Sequence, residues 1–262
     1  MDPATLIAAL GSGLLIGAIL GLIGGGGSIL AVPLLLYVVG VVDPHTAIGT
    51  AAVSVAANAL LGLWAHARAH NVKWRCAFMF SAFGVLGATL GSSLGKAMDG
   101  QKLLTLFGFV MIAVGILAAR KPTRIEAPDV RLSLASAPIL MPRLIASGTG
   151  VGLASGFFGI GGGFLIVPGL MWATSMPISI AVGTSLVSVA AFGTATTTSY
   201  ALSGLVNWPV ARLMIAGGLL GSTLGTRASQ SLGQHKRALA LVFATVVVLV
   251  GAWIVWTGIG KL

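Results

Sequence analysis

Two glycine runs in strongly apolar sequence are the residues of this chain best suited to bind a ligand. The first is Gly24-Gly25-Gly26-Gly27-Ser28, closed by Pro33, and the second is Gly159-Ile160-Gly161-Gly162-Gly163, closed by Pro168. A helix that begins after such a run exposes unpaired N–H groups and carries about +0.5 charge at that end. Glycine also lets a ligand approach the backbone closely. Two such helix starts facing each other would bind a monoanion or a sulfonate-like group without an ionised side chain.

Hydroxyl and amide side chains follow each glycine run at a spacing of four residues, which places them on one face of a helix. They are Thr50, Ser54 and Asn58 in the first half of the chain, and Thr184 and Ser188 in the second. Such a stripe either lines a site or only bonds the preceding turn and neighbouring helices. The predicted substrate-binding residues are Gly26, Gly27, Ser28, Thr50, Ser54, Asn58, Gly162, Gly163, Thr184 and Ser188.

Composition places these residues in a membrane. Of 262 residues, 56% are hydrophobic and only 8% are charged, whereas soluble domains carry about 25% charged residues. The formal charge of +10 comes from Lys and Arg between apolar segments, where they set orientation and contact anionic lipid. We therefore expect membrane lipid, and no nucleic acid, as a partner. The single cysteine, Cys76, and the lack of a metal-type Cys/His spacing predict no cofactor.

The chain is an internal duplication. Gly49-Thr50 matches Gly183-Thr184, and Gly84-x-x-Gly87-x-Thr89-Leu90-Gly91 matches Gly218-x-x-Gly221-x-Thr223-Leu224-Gly225, both at a shift of 134. Agreement this long indicates two repeats. We assign residues 1–120 to the first transmembrane repeat, 121–142 to a cytoplasmic linker and 143–262 to the second repeat.

Segment lengths predict the fold class. The apolar segments that begin at Ser28 and Gly163 are short, at about 13–15 residues against the roughly 20 that a membrane-spanning helix needs. They suit half-helices or the second arm of a re-entrant hairpin. The expected fold is therefore an all-α integral membrane protein of two repeats. Each repeat has a Gly-broken short-helix hairpin plus three full spans, which gives about 8–10 membrane segments.

Each repeat contributes an odd number of crossings, so the second repeat is expected to be inverted. With inversion, eleven of the fifteen Lys and Arg residues lie on the cytoplasmic side, against ten for a parallel repeat. This slight preference places the linker in the cytoplasm and both termini outside it. The protein is expected to be a multi-pass protein of the cell inner (plasma) membrane.

The acidic residues restrict the function. All of them lie outside the apolar segments, at Asp2, Asp43, Asp99, Glu126 and Asp129. Proton relays and cation paths leave a carboxylate within the membrane, so this pattern argues against a cation pump or cation channel. The sequence also has no nucleophile–base constellation, so an enzyme is the weakest hypothesis. The cluster His66-x-Arg68-x-His70 could draw anions to the cytoplasmic mouth, or it could only be an orientation signal.

The glycine breaks that end in Val-Pro, the following Gly-Thr pairs and the Gly-x-x-Gly-x-x-Leu-Gly motifs resemble the sulfite exporter TauE/SafE family. The resemblance covers residues 8 to 255. It implies an inner-membrane carrier for sulfur-containing anions such as sulfite, sulfoacetate, other sulfonates or thiosulfate, usually in the export direction. The repeats differ at Ser28 for Gly163 and Asn58 for Phe192, so the site should be asymmetric.

The sequence therefore predicts a secondary transporter that exports a small sulfur-containing anion through a site at the repeat interface. Two alternatives remain open at this point: an anion channel, and a membrane binding or scaffold subunit without flux of its own. The Gly-rich faces leave room for a homodimer.

Overall fold

The protein is helical throughout the part of the chain that a computed structural model describes, namely residues 2–23, 25–119, 132, 136–159, 163–231 and 236–259. Within these ranges no strand occurs. The α-helices are α1 (Pro3–Ile23), α2 (Ala31–Tyr37), α3 (Pro44–Arg68), α4 (Trp74–Ala97), α5 (Gly100–Ala119), α6 (Ala137–Phe158), α7 (Gly163–Thr174), α8 (Ile178–Leu202), α9 (Trp208–Ser231) and α10 (Lys236–Ile259).

Five of these helices, α1, α3, α4, α5 and α8, are long and apolar enough to cross a membrane. The expected short elements are also present: α7 has twelve residues and α2 has seven. The prediction of an all-α membrane protein is therefore confirmed.

Two predicted boundaries differ from the structure. The helix expected to begin at Ser28 is instead a 3₁₀ helix, Gly25–Leu30, that leads into α2 at Ala31. The helix expected to begin after Pro142 begins at Ala137, so the last residues assigned to the linker are helical. Proline is tolerated in the first turns of a helix, where few intrahelical donors are lost, and Pro142 therefore does not mark the start of α6.

The two halves of the chain pack mainly against each other. The most extensive contacts join α1 to α9, α4 to α6, α5 to α10 and α3 to α8. Under the repeat, α1 is equivalent to α6 and α9 to α4, so the α1–α9 and α4–α6 pairs are the same contact made twice. The α3–α8 and α5–α10 pairs each join an element to its own equivalent.

The neighbours of the glycines show in which direction these helices run and how closely they pack. A Cβ on Gly49, near the start of α3, would meet the carbonyl oxygen of Leu205, just past the end of α8. A Cβ on Gly62, near the end of α3, would lie 3.4 Å from Leu186, near the start of α8. Helices α3 and α8 therefore run antiparallel in close contact. We call the end of this pair at which α3 begins the Asp43 end, and the opposite end the Lys73 end.

Exposed aromatic residues mark both ends. Trp64, Trp74 and Trp172 lie at the Lys73 end. At the Asp43 end, exposed Tyr37 stacks on Trp253 with ring centroids 5.5 Å apart. Trp and Tyr are enriched where a protein crosses the membrane–water interface, so these two belts indicate the edges of the membrane-embedded region.

Candidate functional site

The first Gly-Thr pair joins the two halves of the chain at the Asp43 end. Thr50 Oγ1 donates to the Thr46 carbonyl at 2.6 Å and accepts from the Asn207 amide at 2.9 Å. Asn207 directly precedes α9, so this bond caps the start of a helix in the other repeat. Gly49 lets the Leu205 carbonyl approach, because no larger residue would fit there. We call this contact the Thr50 clasp.

The second Gly-Thr pair makes the equivalent contact at the Lys73 end. Thr184 Oγ1 accepts from the amide of Lys73 at 3.0 Å, and Lys73 is the N-cap residue of α4. A Cβ on Gly183 would meet the Asn71 carbonyl, as one on Gly49 would meet Leu205. We call this contact the Thr184 clasp. Each repeat thus caps a helix of the other with a threonine hydroxyl.

The two clasps lie far apart. Gly183, next to Thr184, lies against His66, which follows Thr50 on α3 by sixteen residues. At about 1.5 Å per residue, this separation is about 24 Å. The structure therefore does not bring Thr50 and Thr184 together, and both hydroxyls are engaged by backbone groups. Each hydroxyl joins the two halves of the chain through one hydrogen bond, and the two bonds lie at opposite ends of the α3–α8 pair.

Asn58 lies between the clasps, near the middle of α3. Its side chain is fully buried, and neither amide atom has a hydrogen-bond partner within the described residues. The amide lies directly over Gly218 of α9, where a Cβ would overlap it. Leaving a buried polar group unpaired costs about 1–3 kcal/mol. Such a group in a native protein indicates a water, an ion or a ligand as its partner.

Two other predicted residues lie near Asn58 in depth, Ser54 on its own stripe and Ser188 on the equivalent stripe of α8. Ser54 is fully buried and donates to the Thr50 carbonyl at 3.0 Å. Ser188 is fully buried on α8 and shares a hydrogen bond of 2.8 Å with Ser81 of α4. Since Leu186 faces Gly62 in the antiparallel pair, Ser188 lies within about one turn of the depth of Asn58.

The position equivalent to Asn58 is apolar. Phe192 lies over Gly84 as Asn58 lies over Gly218, and it stacks on Phe80 with ring centroids 6.1 Å apart. The two halves therefore present an amide on one side of the α3–α8 pair and an aromatic cluster on the other. A ligand that needs hydrogen bonds at this depth would find them on the Asn58 side.

The first glycine break reaches the same depth. Gly27 is buried against α1, and a Cβ there would lie 2.7 Å from the Ile16 carbonyl oxygen and 2.8 Å from the Leu20 amide. Gly17, in the same stretch of α1, packs on Gly218 beneath Asn58. Gly27 is thus required for close packing as well as being placed near Asn58.

The first break lies next to α7, the helix that begins at the end of the second glycine run, because α7 packs against the 3₁₀ helix Gly25–Leu30. Ser28, in the 3₁₀ helix, and Gly163, the first residue of α7, are both buried. Gly26 belongs to the 3₁₀ helix, and Gly162 lies outside the described residues. The described residues of the first break, from Gly25 onward, form a 3₁₀ helix that leads into α2 at Ala31. This differs from the α-helix start directly after the glycines that the sequence predicts.

Sequence reasoning missed Tyr200, and it considered His66 only as part of the cluster with Arg68 and His70, although both rings have buried polar tips. The hydroxyl of Tyr200 and both ring nitrogens of His66 have no partner within the described part of the chain. These residues are 134 positions apart, the same shift that relates the repeats. That shift could have identified them, because aligning the repeats on Gly49 and Gly183 pairs His66 with Tyr200.

Charged groups gather at the Asp43 end. Asp43 caps α3 and accepts from the Thr46 amide at 2.8 Å and its hydroxyl at 2.6 Å. Partial burial acts to raise the pKa of Asp43, but these bonds and neighbouring His45 hold it below its usual value. Lys96 donates to the Ser199 carbonyl and the Ser203 hydroxyl, both at 3.0 Å. The carboxylate and the ammonium are thus each held by hydroxyl or backbone groups.

These features define a class of protein. Long apolar helices, short broken elements beside them and a buried amide at mid-depth between two repeats form the architecture of a multi-pass membrane transporter. The chain belongs to the sulfite exporter TauE/SafE family, whose model matches residues 9–254.

Similar proteins carry the same general description. A probable membrane transporter protein of Xylella fastidiosa (strain Temecula1) is 50% identical, over 98% of this chain and 97% of its own length. The probable membrane transporter protein YunE of Bacillus subtilis is 26% identical, over 94% and 96%. MJ0441 of Methanocaldococcus jannaschii, also named a probable membrane transporter protein, is 28% identical over 86% and 87%. No solved structure matches the chain.

Proposed function

We propose that this transporter is a secondary carrier of the cell inner membrane that exports a small sulfur-containing anion such as sulfite, sulfoacetate or another sulfonate. The family points to the sulfur anion. The observation that carries the proposed site is Asn58, a fully buried amide with no partner among the described residues. An amide NH₂ group donates two hydrogen bonds, which suits the oxygens of sulfite or a sulfonate.

The proposed site combines Asn58 with the surrounding neutral groups. Ser54 lies one turn before Asn58 on α3, and Gly27, Ser28 and Gly163 bring the two backbone breaks to a similar depth. None of these residues carries an ionised group. Binding through neutral donors alone is weaker than binding to Arg or Lys, which allows the anion to be released on the far side.

Helix directions support an inverted repeat. Equivalent helices α3 and α8 run antiparallel, and so do α5 and α10, because Gly108 faces Val255 and Gly115 faces Val248. A repeat related by an axis in the membrane plane places equivalent helices in opposite directions. With the basic loop 68–75 in the cytoplasm, the Lys73 end is cytoplasmic, and both termini lie outside the cytoplasm.

The clasps supply the two ends of an alternating-access cycle. Both threonine–amide bonds are formed in this structure, so neither end is open there. Release of the Thr184 clasp would separate α8 from the start of α4 and expose Asn58 to the cytoplasm. Release of the Thr50 clasp would separate α3 from the start of α9 and expose it to the other side. Opening one clasp at a time moves the site between the two compartments.

Flux by the purified protein tests this proposal. Proteoliposomes would be assayed with [³⁵S]sulfite, and with thiosulfate and sulfoacetate as alternative substrates, with and without the same anion on the opposite side. A carrier predicts saturable flux that the opposite-side anion accelerates. Flux without such acceleration would instead support a channel, and no flux of any of the three anions would support a non-transporting subunit.

A further inference from the structure

Two ring side chains occupy equivalent positions near the two ends of the α3–α8 pair. His66 is on α3 and Tyr200 is on α8, 134 positions later. Each packs against the glycine of the opposing Gly-Thr pair. A Cβ on Gly183 would lie 3.3 Å from His66 Cβ, and one on Gly49 would lie 3.0 Å from Tyr200 Cβ. The equivalence in sequence is therefore also an equivalence in space.

The polar atoms of both rings are buried without partners in the described part of the chain. Tyr200 is fully buried and its hydroxyl makes no hydrogen bond, and neither Nδ1 nor Nε2 of His66 makes one. A buried tyrosine hydroxyl usually has a partner. Packing alone would be served better by phenylalanine at both positions, since each unpaired polar group costs free energy. Their polarity indicates a role other than packing.

The two rings bracket Asn58. His66 follows Asn58 by eight residues on α3, and Tyr200 packs at Gly49, nine residues before it. These separations correspond to about 12 and 13 Å along the helix. Together the three polar positions cover about 25 Å of the roughly 30 Å hydrocarbon thickness of a bilayer. A path that follows the α3–α8 pair would therefore meet a hydrogen-bonding group near each end and at its centre.

Groups of both charge signs lie near Tyr200, together with hydrogen-bonding groups that have no partner among the described residues. The ammonium nitrogen of Lys96 lies 5.8 Å from the centre of its ring. The ring of His45 lies 6.5 Å away, centre to centre, and its Nδ1 is unpaired among the described residues. Thr196, one turn earlier on the same face of α8, also has an unpaired hydroxyl there. The nearby Asp43 carboxylate is engaged by hydrogen bonds from Thr46.

We propose that Tyr200 and His66 are two further binding stations for the transported anion, one just inside each clasp. This inference rests on the proposed function and adds two substrate-contacting residues to it. Tyr200 donates to the anion near the Asp43 end and His66 near the Lys73 end. Each station binds an anion that has passed its own clasp and has not yet reached Asn58.

The test compares Tyr200→Phe and His66→Phe in right-side-out and everted membrane vesicles. Controls are Tyr37→Phe, which alters an exposed ring at the Asp43 end, and Trp172→Phe, which alters an exposed ring at the Lys73 end. The probes are sulfite, thiosulfate and sulfoacetate, and thermal midpoints are measured for every variant.

Each station variant should raise KM about tenfold, because one hydrogen bond to a charged group is lost. Tyr200→Phe should do so only for anion presented at the Asp43 face, and His66→Phe only at the Lys73 face. The thermal midpoint should be unchanged or higher, because no hydrogen bond within the described chain is broken. Controls should behave as the wild type.

Three results would overturn the inference. KM values within twofold of wild type at both faces would remove both stations while leaving the carrier proposal intact. A lower thermal midpoint with an unchanged KM would make the rings structural. No flux of any of the three anions by the wild-type protein would overturn the proposed function, and the stations with it.

Discussion

The Thr184 clasp makes the most specific prediction about how the protein opens. Thr184→Val keeps the size of the side chain but removes the oxygen that accepts from the Lys73 amide. Loss of a helix N-cap or an unpaired buried amide costs about 1–2 kcal/mol. A cost of about 1.4 kcal/mol on the closed state would raise the population open at the Lys73 end about tenfold.

Cys76 offers a built-in reporter of this opening. It is the single cysteine of the chain, is only 1% exposed, and lies in the first turn of α4, three residues after Lys73. Its labelling by a small maleimide in native conditions should become about tenfold faster in Thr184→Val. Thr184→Ser retains the acceptor oxygen and should label like the wild type. Thr50→Val opens the opposite end and should leave Cys76 protected.

Equal labelling of Cys76 in the wild type and Thr184→Val would refute the clasp. Equal acceleration by Thr50→Val and Thr184→Val would refute the assignment of one clasp to each end, since it would report general destabilisation. Thr50→Val and Thr184→Val each remove about the same stabilisation from the closed state, so both should lower the thermal midpoint to a similar extent. Faster labelling that is confined to Thr184→Val would then report local opening and not global unfolding.

Two further predictions concern stability. A Cβ on Gly17 would meet the backbone of Gly218, whereas one on Gly11 of the same helix meets nothing within 4 Å. Gly17→Ala should therefore destabilise the protein by about 1–3 kcal/mol, and Gly11→Ala should stabilise it by up to about 1 kcal/mol. Denaturation in detergent measures both changes. Similar effects at the two positions would contradict the packing of Gly17 on Gly218. Asp43→Ala should lower stability by about 1 kcal/mol at neutral pH, because it removes the cap bonded to Thr46. The pKa of Asp43 is lowered in the folded protein, so its contribution to stability is present above the unfolded pKa near 3.8 and is lost as pH falls through the folded pKa. The difference in stability between Asp43→Ala and the wild type should therefore shrink below pH about 4. A difference that stays constant with pH would contradict this prediction.

The helical class, the short segments and the positions of most helices could be predicted from sequence. Apolar runs bounded by charge or proline set the helix ends, as at Pro44 and Trp74. The sequence could not show that Gly25–Leu30 forms a 3₁₀ helix, because this depends on how closely Gly27 packs on α1. It also could not show that α6 begins before Pro142, since proline permits a helix start as well as a stop.

The predicted site was harder to resolve. One stripe in the sequence contains Thr50, Ser54 and Asn58. Their spacing does not indicate which hydroxyl forms a hydrogen bond to the other repeat. The structure shows that Thr50 and Thr184 bond backbone amides across the repeats, which only three-dimensional packing can reveal. The antiparallel direction of α3 and α8 places these two threonines at opposite ends, although the repeat alignment makes them equivalent.

Binding of an anion at Asn58 is the central claim, and ligand-dependent thermal stability of the detergent-purified protein tests it most directly. The panel is sulfite, thiosulfate and sulfoacetate, with acetate as the control anion. A ligand at ten times its Kd stabilises the folded state by about 1.4 kcal/mol. The comparison is with Asn58→Leu, which matches the shape of the amide, and with Ser92→Ala, a buried serine bonded to the Thr89 carbonyl on α4.

We expect that one of the sulfur anions raises the thermal midpoint of the wild type and of Ser92→Ala, and that acetate does not. Asn58→Leu should be at least as stable as the wild type without ligand, because the unpaired amide is gone, and should show no shift with that anion. An equal shift in Asn58→Leu would contradict the claim and place the anion elsewhere in the protein.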